Sequence, residues 1–467
     1  MSESYREESD SMGIVKIPSS MYYGAQTQRA VDNFPISDEK MPIEFIRAVV
    51  RIKKAAAKVN ADLGLIDRTK ANAIIVACNE ILEGKFDNHF PISVYQTGSG
   101  TSTNMNVNEV IANRASEILG AKLGSKLVHP NDDVNKCQSS NDVIPTAIHV
   151  ASIEAIEYKL KPALNELSES LRQKSQELWD VIKTGRTHLQ DATPIRMGQV
   201  FLGYYGQIER GIQRCNKAIQ ALSEVALGGT AVGTGTNAHP DFARLVCEQL
   251  SQDLKVEIKE TTNHFQAQST LDAVVEASGV LRTVAVSLYK IANDIRWMAS
   301  GPVAGLAELT IPEVQPGSSI MPGKVNPVIC ESVTMASAQV MSNDYSVILC
   351  GQSGSIFELN LMLPLAAKAI LSSIRLMTDS SINLKRKCID GIEATSKGPE
   401  MVEKGFMLVT ALAPVIGYDK AAEIAKYAKA NGLTVRQAAL KLTSIPEDEL
   451  NWLLDPARMT EPGIESG

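Results

Sequence analysis

Phe201-Leu202-Gly203-Tyr204-Tyr205-Gly206-Gln207-Ile208-Glu209-Arg210-Gly211-Ile212-Gln213-Arg214-Cys215-Asn216-Lys217-Ala218-Ile219 decides the fold. In it and just beyond, Phe201, Tyr205, Ile208, Ile212, Cys215, Ile219, Leu222 and Ala226 recur at alternating steps of four and three. Only a helix gathers such positions onto one stripe, and a sustained heptad keeps that stripe facing a neighbouring helix. Leu271, Val274, Ser278, Leu281, Ala285, Leu288, Ala292 and Ile295 repeat the pattern, and Leu160, Leu164, Leu167, Leu171, Leu178 and Ile182 fit it. The opposite faces are apolar too, at Val225, Val284, Ile291 and Met298. A helix that is apolar on more than one face is buried on more than one side. The expectation is an all-α chain whose central bundle of long helices packs again against copies of itself.

Working outward, the chain of 467 residues is 44% hydrophobic and 21% charged, which leaves room for two or three domains. The reading divides it into an N-terminal, mainly helical domain at 1–138, the long-helix bundle at 139–395 and a small helical domain at 396–467. A net charge of −7 implies no basic face, so nucleic acid is not an expected partner. No apolar run approaches the roughly 20 residues of a membrane span. The seven cysteines are odd in number and form no CxxC pair or Cys/His cluster, which points to reduced thiols in the cytoplasm. Ser2 to Ser11 is acidic and polar, unlike a leader peptide.

Residues 1–45, with Pro18, Pro35 and Pro42, read as irregular. Helices are expected from Pro42 to Val59, over Thr69–Leu82, Val328–Leu349 and Leu359–Leu376, the last bent by Pro364. Asp419 and Thr434 are candidate caps of two C-terminal helices. The glycine-rich stretch Leu227–Asn237 lacks a GKS/T ending and follows no strand, so nucleotide binding is rejected there.

Four polar stretches interrupt the helical background: Gly98–Asn106, His129–Asp142, Arg186–Thr193 and Gly317–Asn326. The last is shaped by Pro316, Gly317, Pro322, Gly323 and Pro327 and carries Ser318, Ser319, Lys324 and Asn326, a composition suited to an anion. Ser99, Thr101, Ser139, Ser140, Asn141, Thr187 and Asn326 are neutral donors, Lys324 adds positive charge, and His188 sits among hydroxyls and an amide. Ser139 to Asp142 are also N-cap residue types, and a helix N-terminus there would hold a carboxylate.

These stretches resemble the class II fumarate hydratases of the aspartase/fumarase superfamily. GSSIMPGKVNP from Gly317 matches that superfamily's signature as it stands. TGSGTSTNMNVNE from Thr97, HPNDDVNKCQSSND from His129, GRTHLQDATP from Gly185 and GGTAVGTGTNAHP from Gly228 match as well, in order, over essentially the whole chain. The resemblance implies an all-helical, three-domain subunit and a homotetramer with each active site shared between three subunits. It implies reversible hydration of fumarate to L-malate in the tricarboxylic acid cycle, with no metal or organic cofactor.

It also implies roles. Ser318 is the base that takes the C3 proton, and Lys324 and Asn326, with Ser319 beside them, hold the charge of the aci-carboxylate that results. His188 acts on water or the departing hydroxyl, with Glu331 as its carboxylate partner. Ser99, Thr101, Ser139, Ser140, Asn141 and Thr187 hold the substrate carboxylates. His129, Asn131 and Asp132 match an accessory anion site, although Lys126 stands where the family often has arginine. His89, His149, His239 and His264 read as structural. Two other readings compete: an aspartate ammonia-lyase, in which glutamine usually replaces His188, and a non-catalytic helical scaffold, which would not need Ser318, Lys324 and His188 together.

Overall fold

The heptad segments are helices, Met197–Leu222 and Asp272–Met298, followed by Val328–Gly354 and Leu363–Lys387. At about 1.5 Å of rise per residue, each extends for about 40 Å. The computed structural model describes residues 4–463, so Ser2 and Glu3 of the acidic N-terminal stretch lie outside the described residues. Phe201, Ile208, Cys215 and Leu222 bury the first seam, and Leu281, Ala285, Leu288, Ala292 and Ile295 the second. The flanking Val284, Ile291 and Met298 are also buried, within the chain itself, so they are not the surface offered to a copy. The large apolar side chains these helices do expose include Leu202, Val286, Trp297, Met335 and Tyr345. No helix among the described residues is long and apolar enough to cross a membrane.

The upstream heptad segment runs as Ser140–Ala155, a wider turn at Ile156–Leu160, and Lys161–Glu177. The wider turn lies where Pro162 would otherwise press on the Tyr158 carbonyl. The helix ends before Ile182, which the heptad pattern includes. Ile182 instead opens the strand Ile182–Thr187, paired antiparallel with Gln190–Arg196. The polar stretch is therefore a hairpin, not an open loop. Gly185 sits at its bulge, where a Cβ would lie 2.4 Å from the Thr193 carbonyl oxygen.

Residues 1–45 are also more regular than their prolines imply. Tyr5–Asp10 pairs with Gly13–Pro18, and Ala25–Asn33 is a helix. The cause is long-range. The buried Glu109 carboxylate accepts from the amides of Gly24, Gln26 and Thr27 and from the Thr27 hydroxyl, so it caps that helix from 85 residues away along the chain.

Thr434 caps Val435–Leu442 as the sequence implies, with Gln437 completing a capping box. Asp419 does not cap. It lies in the first turn of Tyr418–Asn431, after Gly417 at φ 83°, where its charge suits the positive end of the helix. Pro364 is the second residue of Leu363–Lys387, where a missing N–H leaves nothing unpaired, so it begins that helix and does not bend it.

The chain divides into two units made of non-consecutive segments, one of residues 1–162, 213–285 and 338–378 and one of 163–212, 286–337 and 379–467. This partition differs from the consecutive one at 138/139 and 395/396. In the first unit, Ile43–Asp62 packs on Arg68–Leu82, Ser140–Ala155 and Phe242–Leu254, with Phe45, Ile46, Val49 and Ile52 buried. In the second, the 182–196 hairpin packs on Lys397–Lys404, and Leu412, Ile424, Ala428, Val435, Leu450 and Leu454 form a cluster that Ile182 joins. All seven thiols are free and buried.

Candidate active site

The candidate residues fall into two groups, one in each unit. In the first unit, Gly100 at φ 70° turns the chain into the helix Thr101–Ile118. Ser99 Oγ and Thr101 Oγ1 are hydrogen-bonded at 2.8 Å. Gly98 is required by close approach, since a Cβ there would lie 1.9 Å from the Leu361 carbonyl oxygen. Ser139 caps Ser140–Ala155: its Oγ accepts from the Asn141 amide at 3.3 Å, and its own amide donates to Asp142 Oδ1 at 2.9 Å. Ser140 Oγ accepts from Asn104 Nδ2 at 3.1 Å, which joins the Thr101 helix to the Ser139–Asn141 turn. Asn141 Nδ2 donates to the Ala231 carbonyl.

Asp142 is the hub behind this turn. It is buried, and its Oδ2 accepts from the amides of Gly228 and Thr230, each at 3.0 Å. The glycine-rich stretch thus spends two of its amides on an internal carboxylate. Burial pushes the Asp142 carboxyl up to about 6, against the three amides that favour its charged form.

His129 Nδ1 accepts from the amides of Asn131 and Asp132, at 3.3 and 3.1 Å. It therefore caps the turn Pro130–Val134, and that nitrogen is engaged by backbone. His129 and Asn131 line a cavity with Glu8, Asp10, Glu109 and Lys126, whose Nζ donates to the Ser9 carbonyl. Asp132 is not among the lining residues. Of the carboxylates there, Glu8 is paired with Arg6 and Asp10 with Arg29.

In the second unit, Thr187 pairs with Gln190, which leaves His188 and Leu189 as a two-residue hairpin tip. Both have left-handed backbone, φ 56° and 58°, a conformation that suits Asn-Gly far better. Thr187 and His188 are exposed there. Arg186, two residues before the tip, donates to both oxygens of the fully buried Glu308 at 3.0 and 2.8 Å, and Lys183 lies 3.4 Å from the same carboxylate. Neither contact is visible in the sequence, where Glu308 lies far from the motif.

The stretch Gly317–Pro327 closes on itself. The Gly317 amide donates to the Lys324 carbonyl at 2.8 Å, and Asn326 Nδ2 to the Gly317 carbonyl at 2.6 Å. A Cβ on Gly317 would lie 2.3 Å from the Lys324 carbonyl oxygen, and Gly323 turns at φ 78°. Ser318 Oγ accepts from the amides of Ile320 and Met321, at 3.2 and 3.0 Å. Ser319 and Lys324 are exposed, and Glu331 is half-buried in the first turn of Val328–Gly354. Among the described residues, the His188 ring, the Lys324 ammonium and the Glu331 carboxylate make no hydrogen bond or ion pair. The chain therefore supplies Ser318 with its donors but does not join His188 to Glu331.

A buried lysine near the Ser139–Asn141 turn is not singled out by the sequence reading. Lys53 is wholly buried on Ile43–Asp62, with buried Val49 and Ala57 one turn to either side. A lysine on an apolar stripe, between Val49 and Ala57, was the available signal.

A family model described as lyase matches residues 13–342, and one described as Fumarase C C-terminus matches residues 408–461. A class II fumarate hydratase from Nitrosomonas europaea is 51% identical over 461 residues, covering 98% of this chain and 100% of that protein. Fumarate hydratase class II 2 from Bradyrhizobium diazoefficiens is 50% identical over 460 residues, 98% of this chain and 97% of its own. Among solved structures, a class II fumarase from Schistosoma mansoni superposes with a TM-score of 0.94 at 38% identity, covering 98% of this chain and 99% of that one. A fumarate lyase:delta crystallin from Brucella melitensis bound to cobalt gives a TM-score of 0.95 at 45% identity, over 98% and 100%. Similarity of this extent, at about half of all positions over nearly the whole chain, places the chain in the class II fumarate hydratase family.

Proposed function

We propose that the protein is a hydro-lyase that interconverts fumarate and L-malate. The observation that carries this reading is the pair of amides on Ser318 Oγ. A serine hydroxyl is a poor base because its alkoxide is costly. Two fixed N–H donors lower that cost, and a loop held shut at its base keeps them aimed. In the malate-to-fumarate direction, the Ser318 alkoxide takes the C3 proton. The electron pair flows into the adjoining carboxylate, whose extra charge meets Lys324, Asn326 and Ser319. The C2 hydroxyl then leaves as water with a proton from His188, which Glu331 orients. Ser99, Thr101, Ser139, Ser140, Asn141 and Thr187 hold the carboxylates.

The working enzyme is proposed to be a cytoplasmic homotetramer with each site shared between three subunits. Two observations support this. The His188 ring, Lys324 and Glu331 have no partner in their own chain among the described residues. The long helices also expose Leu202, Trp297, Met335 and Tyr345, an apolar surface that a partner helix would cover. The accessory anion site finds less support, because His129 Nδ1 is taken by backbone.

The test is the absorbance of fumarate. Purified protein should develop it with L-malate and not with L-aspartate. Development with L-aspartate alone would favour the ammonia-lyase, and with neither, the scaffold. A monomer in size-exclusion chromatography would remove the shared site.

A further inference from the structure

Lys53 has no place in that mechanism, yet its ammonium is wholly buried. Its Nζ donates to Asn135 Oδ1 at 2.8 Å and to Gln138 Oε1 at 3.0 Å. Asn104 and Asn108 direct their Nδ2 to the same Asn135 oxygen, both at 3.3 Å. The second bond of Asn104 Nδ2 goes to Ser140 Oγ, at 3.1 Å. A continuous path therefore runs from Lys53 through Asn135 and Asn104 to Ser140. Along it, the amide oxygens of Asn104 and Asn108 are buried without a hydrogen-bond partner. A cluster with a cation and unpaired oxygens is expensive to bury, and an apolar residue at position 53 would remove much of that cost. Stability alone gives no reason for the lysine.

We propose that Lys53 is a positioning residue: through Asn135 and Asn104 it fixes Ser140, and it supplies the Ser139–Asn141 turn with a positive charge that draws the substrate carboxylate. This rests on the fumarate–malate reading above. The charge acts from behind the turn and touches no substrate. Ser139 stands at the positive end of the Ser140–Ala155 helix, and Lys53 adds a full charge of the same sign behind it.

A pH dependence follows. Burial pushes the Lys53 ammonium down to about 7. The ionisable groups acting on it are Asp142, on Ser140–Ala155, and Cys78, on Arg68–Leu82, and both favour its charge. Asp133, on the adjoining Pro130–Val134 turn, is paired with Lys70 at 2.8 Å. Asn104 and Asn108 of Thr101–Ile118 share its Asn135 acceptor, and no ionisable group of that helix or of Phe242–Leu254 acts on it. An arriving dianion favours the protonated lysine. Binding is therefore tightest below about pH 7 and weakens as pH rises through it. Each unit by which the ligand raises the lysine pKa is a tenfold change in affinity between the two limits.

The experiment is KM for L-malate from about pH 6 to about pH 9 on the native enzyme and on Lys53→Gln, which keeps a donor for Asn135. The native KM should rise about tenfold across the range. Lys53→Gln should hold the raised KM at every pH, with kcat within about threefold of native, a split that general loss of structure would not give. A Lys53→Gln enzyme with native KM and the native rise overturns the proposal. If that variant does not fold, two other results decide. A native KM flat over the range overturns it, and so does an unchanged KM in Asn104→Ser, which cuts the path to Ser140. Native protein inactive on L-malate would instead bring down the fumarate–malate reading, and this proposal with it.

Discussion

The Ser139–Asn141 turn and the His188 hairpin tip both carry residues of the proposed site, but they are built in opposite ways. At the turn, the side chains of Ser139, Ser140 and Asn141 each have a bond within the chain, and the buried Asp142 holds three amides behind them. At the tip, the His188 ring projects from left-handed backbone with no partner among the described residues, and below it Arg186, gripped by Glu308, steadies the strand. The first region is finished by its own chain. The second is stiffened at its root and left open at its end. Groups that hold a substrate can be fixed in advance. Groups proposed to meet a partner copy would have to remain free until it arrives.

The largest effect that would sharpen this contrast lies in the Ser318 loop, which shares the open character of the tip. Ser318→Ala should lower kcat by about a thousandfold or more while leaving the urea unfolding midpoint unchanged, since the loop is superficial. Full activity in that variant would break the mechanism. Next comes the root of the hairpin. Glu308→Ala strands Arg186 and Lys183 and should cost about 3–5 kcal/mol of stability, read from denaturant unfolding. An enzyme of native stability would show that the grip on Arg186 is not what stiffens the strand.

At the turn, Asp142→Asn should destabilise by about 1–3 kcal/mol at acid pH, because the amide nitrogen has two hydrogens and no lone pair to accept with, whereas each oxygen of even a protonated carboxyl can still accept an N–H. Burial raises the Asp142 carboxyl above its unfolded value, so the folded state binds the extra proton. That contribution is present below the unfolded pKa and is lost as pH rises through about 6. The gap between native and Asp142→Asn should therefore narrow between about pH 4 and about pH 7, whereas a gap that widens would contradict the burial of its charge. The smallest effect is at the tip itself. Leu189→Gly relieves left-handed backbone and should raise stability by about 0.5 kcal/mol, measured by thermal unfolding.

The same contrast explains what could be read from the sequence. Periodicity exposes helices, so Met197–Leu222 and Asp272–Met298 were legible, and so were local caps such as Ser139 and Thr434. The hairpin at 182–196 was not, because its tip is His188-Leu189 where a two-residue turn ordinarily announces itself with asparagine and glycine. The helix Ala25–Asn33 was hidden because its cap, Glu109, lies in another element. Among site residues, the motif loops stand out by composition, whereas Lys53 and Glu308 act through contacts made only on folding. Asp419 shows the converse error. A cap residue type near a helix start was read as the cap, but Gly417 precedes the helix and Asp419 is already inside it.

The seven buried thiols give the molecule a built-in clock. Cys78, Cys137, Cys215, Cys247 and Cys350 lie in the unit that holds the Ser139–Asn141 turn, and Cys330 and Cys388 in the unit that carries the hairpin. A thiolate must reach solvent before an alkylating reagent can find it. The order in which these sulfurs acquire label, resolved peptide by peptide in a mass spectrometer, would therefore time the opening of each unit separately in the unmodified protein.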